Sequence, residues 1–139
     1  MTSLDLLVIA NAVTDLVYHV DDSFLKELGL HKGAEHKTAH ACFQEKIIRL
    51  TPTYQSPAGS PANVGFSAAA LGLKAGILGT LGQDRVADQY EAQVQQYNMT
   101  SFLRRVTGAS GLCYTFITDD KERTFLSFMN VSDQLDFTT

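Results

Sequence analysis

Cysteines, basic clusters and long apolar runs are all scarce in this sequence, and each scarcity excludes a class of protein. The 139 residues contain two cysteines, Cys42 and Cys113, which are too few and too far apart for a disulfide-stabilised fold. We expect them to be free thiols in a reducing compartment. Fifteen acidic and 11 basic residues give a net charge of −4 without a basic cluster, which argues against nucleic acid or an anionic membrane surface as a partner.

The apolar segment at residues 4–10 contains Asp5 and lacks a basic leader. It is far shorter than the roughly 20 residues that span a bilayer, so we expect a cytoplasmic protein without a membrane anchor. A continuous apolar run of this kind is typical of a strand in the middle of a sheet that is covered on both faces.

Helical and strand-like segments alternate along the chain and are followed by a β-rich end, which predicts an α/β fold with a small attached sheet. Predicted helices cover residues 24–29 (capped by Asp22 or Ser23), 38–50, 62–71 and 85–98 (capped by Asp84). Predicted strands or extended segments cover residues 4–10, 14–21, 51–57, 75–82, 101–106, 111–118 and 123–129, with a hairpin turn at 119–122. Ser132 is a candidate cap for a further helix, and a sheet this small predicts an unprotected edge and a longer protein.

Two short segments carry polar groups suited to a small ligand. Gly59 and Ser60 precede a helix whose first turn contains Asn63, so backbone N–H groups and a carboxamide would face the same point. Asn11 and Asp15 follow the first strand, where α/β sheets bind their ligands, and could clamp vicinal hydroxyls. Each segment is open to a simpler interpretation, in which Gly59 shapes a turn, Asn63 caps a helix, and Asn11 and Asp15 form a turn.

Other features favour no chemistry of their own. His36 and His40 stand four residues apart, a spacing that can bind a metal on a helix, but no third ligand is recognisable and we expect surface residues. The small residues of the segment FSAAALG are interpreted as helix-on-sheet packing. The glycines at 76, 79 and 82 do not have the spacing or position of a dinucleotide-binding loop, and no Walker loop occurs.

The residues Ala58-Gly59-Ser60-Pro61-Ala62-Asn63, followed at matching distances by Gly72 and Gly82, resemble the first signature of the ribokinase-like (PfkB) family of carbohydrate kinases. Gly82-Gln83-Asp84 looks like the Gly-x-Asp of that family. Ala10-Asn11 with Asp15 is similar to its Gly-Asn-x-x-x-Asp motif, and residues 111–129 resemble its hairpin in the adenosine-kinase-like branch. Ala58, Pro61 and Gly65 depart from the usual signature without removing the polar groups.

The resemblance implies the N-terminal part of a three-layer Rossmann-type domain with a small β-sheet lid, formed by residues 16–20 and the hairpin 112–128. It assigns Asn11, Asp15, Gly59, Ser60 and Asn63 to the binding of a sugar or nucleoside. Phe116, Phe125 and Phe128 are candidate lid aromatics or, equally, core residues. The resemblance also implies a possible homodimer through the lid.

The resemblance further implies ATP and Mg²⁺ as requirements of the full-length enzyme, but two of the family's motifs are missing from residues 1–139. These are the Gly-Ala-Gly-Asp that carries the catalytic base and the Asn-x-x-Glu linked to magnesium. We therefore expect the base beyond residue 139, and no catalytic or metal-binding residue within this chain, which alone should be inactive. The alternative is a non-catalytic fragment that binds a sugar or forms oligomers.

Overall fold

The strands form two separate sheets in the part of the chain that this computed structural model describes, residues 3–37 and 42–136. The strands are β1 (Leu6–Ile9), β2 (Val13–His19), β3 (Glu35–Lys37), β4 (Tyr54–Ala58), β5 (Ala75–Leu81), β6 (Thr100–Arg105), β7 (Gly111–Ile117) and β8 (Arg123–Phe128). The helices are α1 (Asp22–Glu27), α2 (Cys42–Ile47), α3 (Ser60–Ala70) and α4 (Arg85–Gln96), with a 3₁₀ turn at Asn130–Asp133.

The first sheet has the order β1-β5-β6, is entirely parallel and forms what we call the body together with α3 and α4. Both helices lie on one face of this sheet, where the ring centroids of Phe66 and Tyr90 are 6.3 Å apart. A Cβ atom at Gly65 would lie 2.8 Å from a side-chain carbon of Met99 and 2.9 Å from one of Val8. The small residue therefore lets α3 pack closely on β1, as the sequence predicts for this helix.

The prediction of a central first strand is wrong for the described residues, because β1 lies at an edge of the body sheet and β5 at its centre. Val8 faces the helices and is buried, whereas Leu7 and Ile9 point to the opposite face and are each about half exposed, at 48% and 49%. Phe102 of β6 is exposed to a similar extent, at 46%. The apolar run of β1 thus has one covered face and one uncovered face in this part of the chain.

The second sheet has the order β3-β8-β7-β2-β4 and is called the lid sheet here, because it contains the segments that the resemblance assigns to a lid. In β2, β3, β7 and β8 the even-numbered side chains share one face, and the odd-numbered side chains of β4 lie on that same face. That face packs against α1 and α2 in a core separate from that of the body, which includes Tyr18, Leu25, Ile47, Tyr114, Phe116, Leu126 and Phe128. Phe116 and Phe128 are thus core residues, and Phe125 lies on the other face.

The helix ends follow local sequence signals with some shifts. Asp84 caps α4 as predicted, since its carboxylate accepts a hydrogen bond from the N–H of Ala87 at 2.9 Å. The cap of α1 is Asp21 and neither Asp22 nor Ser23, because the Asp21 carboxylate accepts from the N–H of Phe24 at 2.8 Å. The helix therefore starts at Asp22, earlier than predicted.

Two other predicted helices are wrong in extent or kind. Of the helix predicted at residues 38–50, the described part is α2, which ends at Ile47 and not at Leu50, and residues 38–41 lie outside the described part of the chain. Ser132 caps no helix, since its hydroxyl donates to the carbonyl oxygen of Met129 at 2.6 Å within a 3₁₀ turn. The turn between β7 and β8 is a hairpin as predicted, with Lys121 at a φ of 67°.

Candidate functional site

A cavity of about 360 Å³ lies between the lid sheet and the start of α3. All five residues that the sequence analysis selects line it, and the lid sheet contributes further side chains. The lining residues are Ile9, Asn11, Val13, Asp15, Glu35, Lys37, Gly59, Ser60, Pro61, Asn63, Cys113, Ser127 and Met129.

Asn11 and Asp15 reach the cavity because the chain passes from the body into the lid sheet between them. Asn11 follows the carboxyl end of β1, and Asp15 is the third residue of β2. Asn11 is exposed, and its carboxamide makes no hydrogen bond with the rest of the described chain. Its amide is therefore available to a ligand as both donor and acceptor.

The turn before α3 packs directly on this loop. Gly59 has a φ of +107°, and a Cβ atom there would overlap the backbone carbonyl oxygen of Asn11. Glycine is thus needed for the contact with Asn11, in addition to the close approach to a ligand that the sequence suggests. The carbonyl of Ala58, just before the turn, accepts a hydrogen bond of 2.9 Å from the hydroxyl of Tyr90, which is fully buried in α4.

Asn63 does not cap α3, so the simpler interpretation of this residue is wrong. The helix starts at Ser60, its N-cap Gly59 has no side-chain hydrogen bond, and the N–H of Asn63 already donates to the carbonyl of Gly59 at 2.9 Å. The carboxamide of Asn63 is exposed and without a hydrogen bond among the residues described. The N–H groups of Ser60 and Ala62 precede the hydrogen bonds of the helix and add donors at the same point.

The carboxylate of Asp15 is half buried on the cavity face of the lid sheet. Burial raises the pKa of Asp15, and a hydrogen bond with the thiol of Cys113 opposes that shift. Burial also raises the pKa of Cys113, and the negative charge of Asp15 adds to the rise, so the thiol is held in its protonated form. The same two influences, burial first and then Asp15, raise the pKa of Tyr90 and keep its hydroxyl a donor.

Asp15 belongs to a row of side chains that crosses the lid sheet. Strand pairing aligns Asp15 with Cys113, Cys113 with Ser127 and Ser127 with Lys37, so all four side chains are on the odd-numbered, cavity-facing side. The hydroxyl of Ser127 lies 3.4 Å from the sulfur of Cys113. Glu35 is two residues before Lys37 and shares its face.

The sequence analysis missed the lining residues on β3, β7 and β8. Once the pairing of β2 with β7 is known, Asp15 identifies the odd-numbered face as the one that meets the cavity. The alternation of side chains in residues 111–118 and 123–129 therefore indicated two faces. Which of the two faces meets the cavity depended on the pairing of distant strands.

The two histidines whose spacing was considered for a metal are His36 and His40, and only His36 is in the described residues. His36 lies in β3 and not on a helix, and its Nε2 atom is 3.1 Å from the backbone N–H nitrogen of His31. His40 lies outside the described part of the chain. Within residues 3–37 and 42–136, no three His, Cys, Asp or Glu side chains are grouped so that they could hold a metal ion. Over the same residues, no helix has both the length and the apolar character needed to cross a membrane.

Solved structures of kinases share this fold. An adenosine kinase from Sinorhizobium meliloti superposes with a TM-score of 0.85 at 25% identity, over 96% of this chain and 42% of that protein. A probable sugar kinase from Rhizobium etli CFN 42 gives a TM-score of 0.85 at 23% identity, over 97% and 42%. At 23% identity the second likeness shows the fold alone.

Sequence comparison leads to the same group of proteins. The uncharacterized sugar kinase YegV of Escherichia coli (strain K12) is 30% identical over 87 residues, which are 63% of this chain and 27% of that protein. The chain thus spans well under half of the relatives that it resembles. The family model described as pfkB family carbohydrate kinase matches residues 33–139. With most of its length matched in this way, the chain belongs to the pfkB family of carbohydrate kinases.

Proposed function

We propose that the protein containing this chain is an ATP-dependent kinase that phosphorylates a hydroxyl of a sugar or nucleoside, and that this chain supplies the substrate-binding half. The observation that supports this most is the convergence of Asn11, Asp15 and Asn63 on one cavity, with both carboxamides free of hydrogen bonds within the described residues. Such a set of polar groups complements adjacent hydroxyls better than it complements an apolar ligand.

Each of these groups has a distinct role in the proposed complex. The carboxylate of Asp15 accepts hydrogen bonds from substrate hydroxyls, whereas the carboxamides of Asn11 and Asn63 both donate and accept. Gly59 and Ser60 bring the start of α3 close to the same hydroxyls. Because Asp15 lies on the lid sheet and Asn63 on the body, a bound substrate would join the two parts and hold the lid closed over the reacting atoms.

The chemical step requires groups that we propose lie elsewhere in the protein. The substrate hydroxyl oxygen would attack the γ-phosphorus of ATP, its proton would pass to a carboxylate base, and ADP would leave. Mg²⁺ would offset the charge of the phosphates. The base stays a prediction for sequence beyond residue 139, and residues 1–139 are proposed to be inactive by themselves. Asn11, Asp15 and Asn63 would orient the substrate and not exchange a proton with it.

Two further proposals concern the setting of this activity. We propose a cytoplasmic enzyme, since the half-buried thiol of Cys113 is free and a reducing compartment preserves it. We also propose that a homodimer could form through the lid sheet, because β3 and β4 are at its two edges in the described chain and edge strands can pair with a second copy.

The test is to measure binding and phosphorylation separately in the intact protein. We expect Asn63→Ala and Asp15→Ala to weaken substrate binding roughly fivefold or more, since each removes a hydrogen-bonding group worth about 1–3 kcal/mol. Gln95→Ala and Asp119→Ala remove exposed groups of the same kinds outside the cavity and should change neither quantity.

Three outcomes separate the possibilities. Weaker binding and a higher KM in both cavity variants supports the proposed site. Unchanged affinity and turnover in both variants means that the site is assigned wrongly. Binding of a sugar by the intact protein without phosphorylation in the presence of MgATP would favour the non-catalytic alternative.

A further inference from the structure

Asp15 lies between two polar side chains on the neighbouring strands of the lid sheet. It pairs with Ser56 of β4 on one side and with Cys113 of β7 on the other, so all three share the cavity-facing side. The hydroxyl of Ser56 donates to the backbone carbonyl of Pro57 at 3.1 Å. The thiol of Cys113 instead forms a hydrogen bond with the carboxylate of Asp15. Cys113 is therefore the neighbour that fixes this carboxylate.

Cys113 has a second partner on its far side. Ser127 of β8 pairs with Cys113, is only 6% exposed, and donates from its hydroxyl to the sulfur at 3.4 Å. The direction of both hydrogen bonds follows from the chemistry of the groups. An ionised carboxylate can only accept, so the thiol proton points to Asp15 and the sulfur is left to accept from Ser127. The three side chains form a one-way chain of donors that ends on Asp15.

This chain of hydrogen bonds acts on the group that we assign to the substrate hydroxyls. The terminal torsion of an aspartate side chain is broad, so a carboxylate without a partner on the lid would turn through many orientations. The hydrogen bond from Cys113 occupies one acceptor position and leaves the remaining positions for the cavity. A binding group that is already held in place loses less entropy when a ligand arrives.

We propose that Cys113 and Ser127 are positioning residues, which orient the carboxylate of Asp15 for the substrate hydroxyls through this chain of hydrogen bonds. They act through Asp15 and not by contact with the substrate. The inference rests on the proposed function of the cavity and adds the residues that position its carboxylate. Both residues also line the cavity, so direct contact with a ligand is the alternative that the experiment must separate from positioning.

The experiment measures KM and kcat of the intact protein with MgATP, for whichever of ribose, fructose and adenosine the wild type phosphorylates best. The variants are Cys113→Ala, Cys113→Ser, Ser127→Ala and the double variant with alanine at both positions. Cys113→Ala is also made in the Asp15→Ala background. Ser56→Ala is the matched control, because it removes a hydroxyl beside Asp15 that donates to the backbone and does not line the cavity.

We expect Cys113→Ala to raise KM roughly fivefold, which corresponds to about 1 kcal/mol, with kcat within about twofold. Cys113→Ser keeps a donor and should recover most of this loss. Ser127→Ala should raise KM about twofold, and the double variant should be no worse than Cys113→Ala, because the chain reaches Asp15 only through Cys113. Cys113→Ala should have no further effect on KM when Asp15 is already alanine. Ser56→Ala should match the wild type.

The pH dependence of KM is a readout that a loss of packing alone would not move. Burial raises the pKa of Asp15, and the hydrogen bond from Cys113 opposes that rise, so Cys113→Ala should raise this pKa further. Because the ionised carboxylate accepts from the hydroxyls, KM increases as Asp15 is protonated. The increase should therefore begin at a higher pH in Cys113→Ala than in the wild type or in Cys113→Ser.

An unchanged KM in Cys113→Ala overturns the inference, and so does a change that Ser56→Ala shares. Equal losses in Cys113→Ala and Cys113→Ser overturn it as well, since the donor would not matter. Additive effects in the double variant, or an effect of Cys113→Ala that persists without Asp15, would mean direct contact with the substrate. In each of these cases the proposed function stands if Asp15→Ala weakens binding. If Asp15→Ala binds as the wild type does, or none of the three compounds is bound or phosphorylated, the proposed function fails and this inference fails with it.

Discussion

The carboxylate of Asp84 joins the start of α4 to the segment that leads into the lid sheet, and its removal should be costly. One oxygen accepts from the N–H of Ala87 at 2.9 Å and from the hydroxyl of Ser110 at 2.7 Å. The other accepts from the N–H of Ser110 at 2.8 Å. The same hydroxyl oxygen of Ser110 accepts from the N–H of Gly82 at 3.0 Å, so one carboxylate organises three segments.

We predict that Asp84→Ala lowers the free energy of unfolding by about 2–4 kcal/mol. Loss of a helix cap costs about 1 kcal/mol, and hydrogen bonds to a charged group contribute about 1.5–3 kcal/mol each. Ser110 is only 2% exposed, so its N–H would be left without a partner. Solvent on the exposed side of the carboxylate keeps the expected total below the sum of these values.

The pH dependence of this destabilisation tests whether the charged carboxylate of Asp84 causes it. Burial of Asp84 favours its neutral form, but hydrogen bonds from Ser110 and Ala87 and the charge of Arg105 outweigh that effect and lower its pKa. The unfolded chain has the ordinary value of about 3.9. The contribution of Asp84 is therefore complete above about pH 4 and is lost as the pH falls through its lower native pKa.

The assay is urea denaturation of the wild type, Asp84→Ala and Asp21→Ala at neutral and acidic pH. Asp21 is a matched control because it is exposed and caps α1 through the N–H of Phe24, and its other side-chain partner is the hydroxyl of the nearby, exposed Ser23. The reasoning is refuted if the two variants are equally destabilised at neutral pH. It is also refuted if the difference between Asp84→Ala and the wild type persists unchanged below the native pKa.

Two further predictions concern the turn before α3. Tyr90→Phe removes the donor to the buried carbonyl of Ala58. It should therefore lower the free energy of unfolding by about 1–3 kcal/mol, measured by urea denaturation, and raise the substrate KM. If neither the free energy nor the KM changes, Tyr90 has no positioning role. Gly59→Ala and Gly72→Ala both place a side chain at a φ near +100°, but only at Gly59 would the Cβ overlap the carbonyl of Asn11. Gly59→Ala should therefore lower the Tm clearly more than Gly72→Ala, and equal shifts would show that the overlap is relieved.

The parts of the fold that were predicted correctly are those whose signals are local. The cap at Asp84 and the helix after it, α3 between its Gly-Pro start and Gly72, and the hairpin between β7 and β8 all follow from neighbouring residues. Helix ends and tight turns depend on hydrogen bonds made within a few residues, so a single sequence contains the information.

The parts that were predicted wrongly depend on contacts between distant residues. The sequence analysis assigns no strand to Glu35–Lys37, which form β3 because they pair with β8, far along the chain. The position of β1 at an edge likewise follows from how β5 and β6 assemble beside it. Composition and periodicity do not encode these partners, and pairing can override local preference.

For the candidate site, the sequence located Asn11, Asp15 and the residues at the start of α3, and it missed the lining residues on β3, β7 and β8. Asn11 and Asn63 stand in recognisable spacings after a strand and at the start of a helix, where general rules place ligands. Cys113 and Ser127 have no distinctive spacing. Only the register of the lid strands brings them into line with Asp15.

The alternation of side chains in the lid sheet separates the residues that stabilise the lid from the residues that line the cavity. Tyr114, Phe116 and Leu126 hold the lid together from one face, while Cys113 and Ser127 on the same strands meet the cavity from the other. Substitutions at the cavity-facing positions can change which molecule fits without creating voids in the lid core. A family of enzymes built on this sheet can therefore diversify its substrates while its packing is inherited unchanged, and a library for directed evolution should vary one face only.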